Sequence, residues 1–230
     1  MKSAASLIIA LSLYAAPAQS QTGELIPVSI DQEPHHSLAF QNEHVRVFHV
    51  QLQPNEATRT HRHGAFYAYF SVQPVTISNE VAGHIPVITQ LERGALRTSK
   101  GGFNVAERNN SKEQADIFVI QPLNAEGNGF PAPLAARMHD AGIVELYTGP
   151  TLRAYSAGIA SSGRIEEHTE TYDSLVIALA DSKIRELVPG KESAEWNMKP
   201  GEMRWIPRGT THSETNIGPA PAALIVFEFN

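Results

Sequence analysis

Apolar and polar residues alternate with a period of two across residues 45–50, where Val45, Val47 and His49 interleave with Arg46, Phe48 and Val50. That period puts successive side chains on opposite faces of a β-strand. Residues 66–72 read as an aromatic-rich strand carrying Phe66, Tyr67, Tyr69 and Phe70, and residues 117–120 as another β-rich run. Later in the chain, residues 152–159, 174–180 and 223–229 give the same signal. Glycines and prolines interrupt these runs at short intervals, the pattern of all-β sandwiches and barrels rather than of βαβ units. Residues 21–39 lack clear periodicity and read as an N-terminal arm. Residues 124–146 read as a linker, opening on the Gly- and Pro-rich AEGNGFPAP and then allowing a helical turn or two over 134–139. Residues 81–90 and 188–197 are expected to be exposed loops.

Residues 40–123 superpose on 147–230 without a gap, a shift of 107 positions. Gly83, Gly94, Gly102 and Asn109 fall on Gly190, Gly201, Gly209 and Asn216, and His61 falls on His168. Two mismatches bear on chemistry: His63 falls on Glu170, and Val105 on His212.

The first twenty residues form a separate unit. Lys2, an apolar stretch over 7–13 and Ala18-Gln19-Ser20 follow the order of a secretory signal, with cleavage expected after Ser20 and a periplasmic or secreted destination. A retained anchor is the alternative, but the stretch is short for a bilayer. The chain has no cysteine, so no disulfide braces it. Its formal charge is −6, with no long basic run, which argues against nucleic acid or an anionic membrane as partner. It also lacks a phosphate-binding glycine loop and a G-x-S-x-G elbow.

The strongest local signal is GEMRWIPRGTTHSETN, residues 201–216, which reads G-x5-P-x-G-x2-H-x3-N. Upstream, SGRIEEHTETYD holds His168 and Glu170. Together these resemble the two motifs of the cupin superfamily. In the first copy the second motif survives as Gly94, Gly102 and Asn109 with Lys100 for Pro and Val105 for His, and the first motif as His61 and His63. The resemblance implies two tandem jelly-roll β-barrels related by internal duplication: a bicupin, with barrel 1 over 40–123 and barrel 2 over 147–230.

Residues i and i+2 of a strand share a face, so His168 and Glu170 project together, as do His61 and His63. Pro207 and Gly209 build a turn that brings in His212, and Asn216 is expected to tie that turn through backbone hydrogen bonds. His168, Glu170 and His212 then form a two-histidine, one-carboxylate set suited to Fe, Mn, Ni or Zn. The usual cupin set is three His and one Glu. Asp173 is the nearest further acid; it and Tyr172 are the candidates to move a proton, although Asp173 needs a bulge to turn inward. The alternative is a metal-free cluster in which Arg153 or Arg204 satisfies Glu170.

In barrel 1, His61 and His63 form a weaker second site, read as empty or vestigial because Val105 removes the closing ligand; His49 on the neighbouring strand is the candidate replacement. His35 and His36 have two readings, metal ligands or solvated polar residues, of which the second is the commoner; Arg59, Arg62, Arg97 and Lys100 read as a solvated rim, with a basic mouth for a carboxylate or sugar acid as the alternative. Two function classes remain. One is a metal-dependent enzyme on a small organic molecule, of dioxygenase, decarboxylase, isomerase or lyase type. The other is a non-catalytic binder of a small ligand. The duplication allows a monomeric pseudo-dimer, or a homodimer of such chains.

Overall fold

A computed structural model describes residues 26–124, 126–131 and 142–230. The export signal and the expected helical turn over 134–139 lie outside them. The described residues are all-β, with one short 3-10 turn, Ile30–Gln32, and no helix long and apolar enough to cross a membrane.

Each half pairs an outer sheet with an inner one. The first outer sheet has the order Val28–Ser29, His61–Arg62, Asn104–Asn109, Val75–Glu80, Val87–Leu91. Its inner partner runs His36–Gln41, Val45–Leu52, Ala115–Pro122, Tyr67–Ser71, Arg97–Ser99. In the second half the inner sheet runs Gly142–Thr148, Leu152–Ile159, Ala222–Phe229, Asp173–Ala178, Met203–Ile206. Its outer sheet runs Arg164–Thr169, Thr211–Asn216, Ser182–Leu187, Ala194–Met198. The strand order is the same in both halves once Val28–Ser29 is set aside.

No sheet closes on itself, so the expected barrels are pairs of open sheets facing across an apolar interior. The ladder is too interrupted to close: His61–Arg62 is two residues long, and register shifts between Ile165 and His168. The strands also reach past the expected boundaries. His36–Gln41, mostly within the expected arm, and Gly142–Thr148, mostly within the expected linker, each pair with the first long strand of their half. Val87–Leu91 and Ala194–Met198, expected mainly as loop, are return strands of hairpins that turn at Gly83 and Gly190.

The inner sheets are apolar on both faces. Along Ala222–Phe229, Ala222, Leu224 and Val226 face the interior of the second half, while Ile225, Phe227 and Phe229 face the first half. Along Ala115–Pro122, Phe118 and Ile120 join that central layer, and Ile117 and Val119 the interior of the first half. A strand buried on both sides reads as a continuous apolar run. The first glycine of the second motif sits at this junction in each half. A Cβ on Gly94 would lie 2.6 Å from Leu179 of the other half, and one on Gly201 2.5 Å from Phe118.

Asn109 and Asn216 hold equivalent joints. Asn109 Nδ2 donates to the carbonyls of Leu52 (3.0 Å) and Glu113 (2.7 Å), and its Oδ1 accepts from Ser111 N. Asn216 repeats this with Ile159 (2.9 Å), Ala220 (2.8 Å) and Gly218 N. The residue therefore ties strand ends rather than the turn that brings in His212. The arm has a different tie. The buried Glu33 carboxylate accepts from His35 N (2.8 Å) and Arg59 N (3.0 Å) and pairs with His36 Nδ1 (2.7 Å). Burial works against its charge, but the bonds from His36, His35 and Arg59 prevail and hold it at about 2.

Asn216→Ala strands buried carbonyls and is expected to cost about 1–3 kcal/mol, read as a lower urea midpoint; Asn216→Asp, which keeps the size and loses the donor, is expected to fall in the same range. Glu33 ionises more readily in the folded chain than at the ordinary 4.5. Its contribution is therefore complete above that value and lost as pH falls towards about 2. In chelator-treated protein, Glu33→Gln should lower stability at neutral pH and flatten the acid limb between those values; an unchanged limb in urea titrations at stepped pH would refute the assignment.

Candidate functional site

In the second half, His168 on Arg164–Thr169 stands opposite His212 on Thr211–Asn216, just after the register shift, with ring centroids 4.6 Å apart. Glu170 follows the strand and is locked to the turn beside it: its N donates to Thr210 O (2.9 Å), and Gly209 N donates to its carbonyl (2.8 Å). Gly209 holds φ +82°, the conformation this turn needs. Glu170 Oε1 lies 3.5 Å from His168 Nε2 and 3.3 Å from His212 Nε2. The three residues singled out from the sequence therefore meet at one carboxylate oxygen.

The far side of each ring is also held. His168 Nδ1 donates to Glu166 O at 2.9 Å, and His212 Nδ1 donates to Glu186 Oε1 at 3.0 Å. Arg204 Nη2 holds the other oxygen of Glu186 at 2.8 Å. Arg204 therefore answers Glu186, and Arg153, buried against Glu228, belongs to another cluster. Glu214 stands 4.0 Å from His212 Nδ1, and His168, His212 and Glu214 offer donor atoms within 4.8 Å of one another.

The electrostatics follow from burial against pairing. Burial opposes the charge on Glu170, but hydrogen bonds from His168 and His212 bring it down to about 2. Burial likewise opposes charge on His212, but the bond to Glu170, the charge of Glu214 and the bond to Glu186 carry it up to about 9. The Glu170 bond raises His168. Burial, helped by the charges of Glu170 and Glu186, lifts Glu214 above the usual carboxylate range, against the pull of both histidines.

Asp173 and Tyr172 do not join this cluster. Asp173 begins the strand Asp173–Ala178, and its neighbour Ser174 takes the inward position, with Oγ 3.4 Å from Glu170 Oε2. No bulge reverses the alternation. Asp173 instead accepts from Arg208 N (3.0 Å) and faces His44 of the first half (3.5 Å). Tyr172 packs edge-on against Phe130, 5.5 Å from the Arg153 guanidinium.

In the first half, His61 Nδ1 donates to Arg59 O at 2.9 Å, as His168 does to Glu166. Its Nε2 lies 3.0 Å from His63 Nε2 and 3.5 Å from Glu107 Oε2. Val105 stands opposite His61 in the ladder, as expected. A third imidazole arrives all the same. His36, on the facing inner sheet, brings its ring centroid to 4.5 Å from His61 and 5.9 Å from His63. Donor atoms of the three lie within 4.8 Å of one another, and all three residues are buried. His36 is therefore not the solvated residue expected from its sequence surroundings. His49 points to the opposite face, stacked on Phe118 and bonded to Asp116. Burial, then the neighbouring His61 and His36, push His63 down to about 3, so its imidazole is neutral. Tyr67 stacks on it at 3.9 Å.

His36, His63, Tyr67, Tyr69, Asn79 and Glu107 border a small chamber of about 20 Å³. Tyr67, Tyr69 and Asn79 also line an outer cleft of about 830 Å³ that includes Ile85 and Phe103. The aromatic cluster read from the sequence therefore divides: Phe70 is central core, and the two tyrosines are cavity wall.

Three participating residues are not among those singled out from the sequence, Glu107, Glu186 and Glu214; His36 is singled out there, with metal binding only as the lesser reading. Glu214 was within reach, because it stands at i+2 from His212 and shares its face. Glu186 lies in phase with Ile184 along Ser182–Leu187, where buried and exposed positions alternate strictly. Glu107 was within reach in the same way, because it falls on Glu214 under the 107-residue shift; His36 carries no such signal, since its relation to His61 and His63 exists only across strands.

No family model matches the chain, and no curated protein matches it. Solved structures do. AerE from Microcystis aeruginosa is 13% identical over 86% of this chain and 98% of its own, with a TM-score of 0.59. A salicylate 1,2-dioxygenase from Pseudoaminobacter salicylatoxidans, solved with gentisate, is 15% identical over 90% and 77%, with a TM-score of 0.61. A cupin 2 conserved barrel domain protein from Leptotrichia buccalis is 13% identical over 85% and 88%, with a TM-score of 0.55. At these identities the likeness is one of fold: the chain folds as cupin-domain proteins do.

Proposed function

We propose that this protein is a metal-dependent enzyme acting on a small organic molecule, built as two tandem cupin-type halves, each a pair of facing sheets, related by duplication and exported through its first twenty residues. A divalent ion, Fe, Mn, Ni or Zn, is held in the second half by His168, Glu170 and His212, with Glu214 in reach as a further oxygen donor. The observation that carries this reading is the convergence of both Nε2 atoms on Glu170 Oε1, with each Nδ1 already committed to an acceptor. A ligating histidine fixed through its other nitrogen is the usual support of a metal centre. The donor set fits a divalent ion: two imidazoles and two carboxylates, all but His168 buried.

Such an ion supplies Lewis acidity and open positions for substrate oxygens. The chain supplies the rest. Glu186 fixes the His212 tautomer, Arg204 balances Glu186, and Glu214, raised by burial, is the carboxyl placed to hold or release a proton. It takes the role that the sequence reading gave to Asp173 and Tyr172. The fold likeness to a dioxygenase solved with gentisate supports a small organic substrate. The central layer between the halves supports a monomeric pseudo-dimer, since it already covers each inner sheet.

One observation favours the second reading, a non-catalytic binder. Both nitrogens of His212 and the charge of Glu170 are satisfied within the cluster itself. Metal binding separates the two. The purified chain should take up one ion in this half and release protons as it does so, because the ion replaces protons on His168 and His212. His212→Ala should abolish that uptake, and Glu186→Gln should weaken it about 10–100-fold. A folded wild-type protein whose second half takes up none of the four ions would end the enzyme reading; an occupied site without turnover of any small acid or phenol would favour the binder.

A further inference from the structure

We infer that a cleft between the two halves binds one planar aromatic carboxylate, its ring stacked beside Tyr147 and Phe66 and its charge at Lys100. None of the residues that line this cleft belongs to either histidine cluster.

The layer between the inner sheets has two edges, and the duplication fills them unequally. At one edge the strand Met203–Ile206 comes against His36–Gln41 and four rings close the junction. Trp205 stacks on Phe40 (5.8 Å between centroids), His44 (5.6 Å) and Phe229 (5.6 Å). At the other edge the 107-residue shift puts Thr98, Tyr147, Thr151 and Pro122 in the places of Trp205, Phe40, His44 and Phe229. Three of the four aromatic rings are gone. One ring is gained: Phe66, the counterpart of Asp173, stacks on Tyr147 with centroids 5.5 Å apart. A cleft of about 430 Å³ remains beside that pair, lined also by Lys100, Pro122, Leu123 and Thr151. Its volume lies within the roughly 300–1,000 Å³ of small-molecule sites.

The lining selects the ligand. Phe66 and Tyr147 pack against the central core, so the planes of both rings are set before anything binds. A planar ring laid beside them continues the stack that the opposite edge builds from its own side chains. The charges differ in the same sense. The closed edge has its own carboxylate, Asp173, which faces His44 at 3.5 Å and accepts from Arg208 N at 3.0 Å. At the open edge Phe66 and Thr151 replace Asp173 and His44, and the exposed Lys100 is the one charged residue of the lining. A ligand carrying both a ring and a carboxylate restores what the closed edge supplies by itself. It also touches both halves, since Phe66 and Lys100 belong to the first and Tyr147 and Thr151 to the second, so its binding fastens one half to the other.

The test is calorimetric titration of chelator-treated protein, in which no metal centre competes for carboxylate, with indole-3-acetate and benzoate. Cyclohexanecarboxylate, which lacks the planar ring, and benzamide, which lacks the charge, are the controls. Indole-3-acetate is expected to bind one per chain, about 5-fold or more tighter than cyclohexanecarboxylate, and to raise the urea midpoint at saturation. Lys100→Gln, a change at an exposed position, should weaken indole-3-acetate about 2–5-fold, remove the salt dependence of its binding and leave benzamide unchanged. Tyr147→Ala should weaken every aromatic probe, indole-3-acetate by about 10-fold. Thr151→His combined with Pro122→Phe installs rings of the closed edge and should exclude the ligand. Ile85→Glu puts a carboxylate in the outer cleft of the first half, a separate site, and should change nothing. The inference is overturned if wild type binds neither aromatic carboxylate, if Lys100→Gln and Tyr147→Ala bind as wild type does, or if Ile85→Glu removes the binding. It is overturned equally if wild type elutes as a dimer in gel filtration that Leu123→Glu dissociates, because a second copy then covers the cleft.

Discussion

The inner sheets meet face to face, and this contact constrains everything else in the molecule. Phe70, Phe118, Phe227 and Phe229 fill the layer between them, and Leu175, Ile177 and Ile225 complete it. The central inner strands, such as Ala115–Pro122 and Ala222–Phe229, are then buried on both faces and have no room there for an unanswered polar group. The buried histidine clusters are left to the two spaces between inner and outer sheets. Both histidine clusters lie there, with their histidines mainly on the outer sheet, whose strands alternate between solvent and interior.

Confinement sets the electrostatics of each cluster. In the second half, three carboxylates with little solvent exposure, Glu170, Glu186 and Glu214, face two imidazoles and one guanidinium. The arrangement is stable only if positive charge enters, as protons on the histidines or as an ion. Hence His212 is driven up to about 9 and Glu170 down to about 2. In the first half the balance is reversed. Imidazoles outnumber nearby carboxylates, and burial holds His63 neutral at about 3. One fold therefore supports a cluster that retains protons and a cluster that sheds them.

Much of this was legible in the sequence. The period-two runs marked the long strands, and the second motif located the turn that presents His212. The i, i+2 rule put His168 with Glu170 and His61 with His63, and all four project as it requires. The same rule argued against Asp173, and the structure turns that residue towards His44. What stayed hidden depends on contacts between strands far apart in sequence. His36 lies in a segment without periodicity, and nothing local tells that Glu33 fixes its ring or that the facing sheet presents it to His61. Closed barrels were expected, but a motif describes the turns and ligands of a fold rather than whether its hydrogen-bond ladder is continuous.

Under the 107-residue shift Val105 falls on His212 and His36 on Ile143, and this exchange shows why such a cluster moves as a unit. A buried imidazole that ligates through one nitrogen needs an acceptor at the other. A buried carboxylate left without its imidazole costs several kcal/mol in desolvation. With Val105 in place, a glutamate at position 79, the counterpart of Glu186, would face no imidazole, and the chain has Asn79 there, bonded to Thr89. Each interior accommodates one such couple, and either sheet can carry it, because the two sheets face the same point from opposite sides.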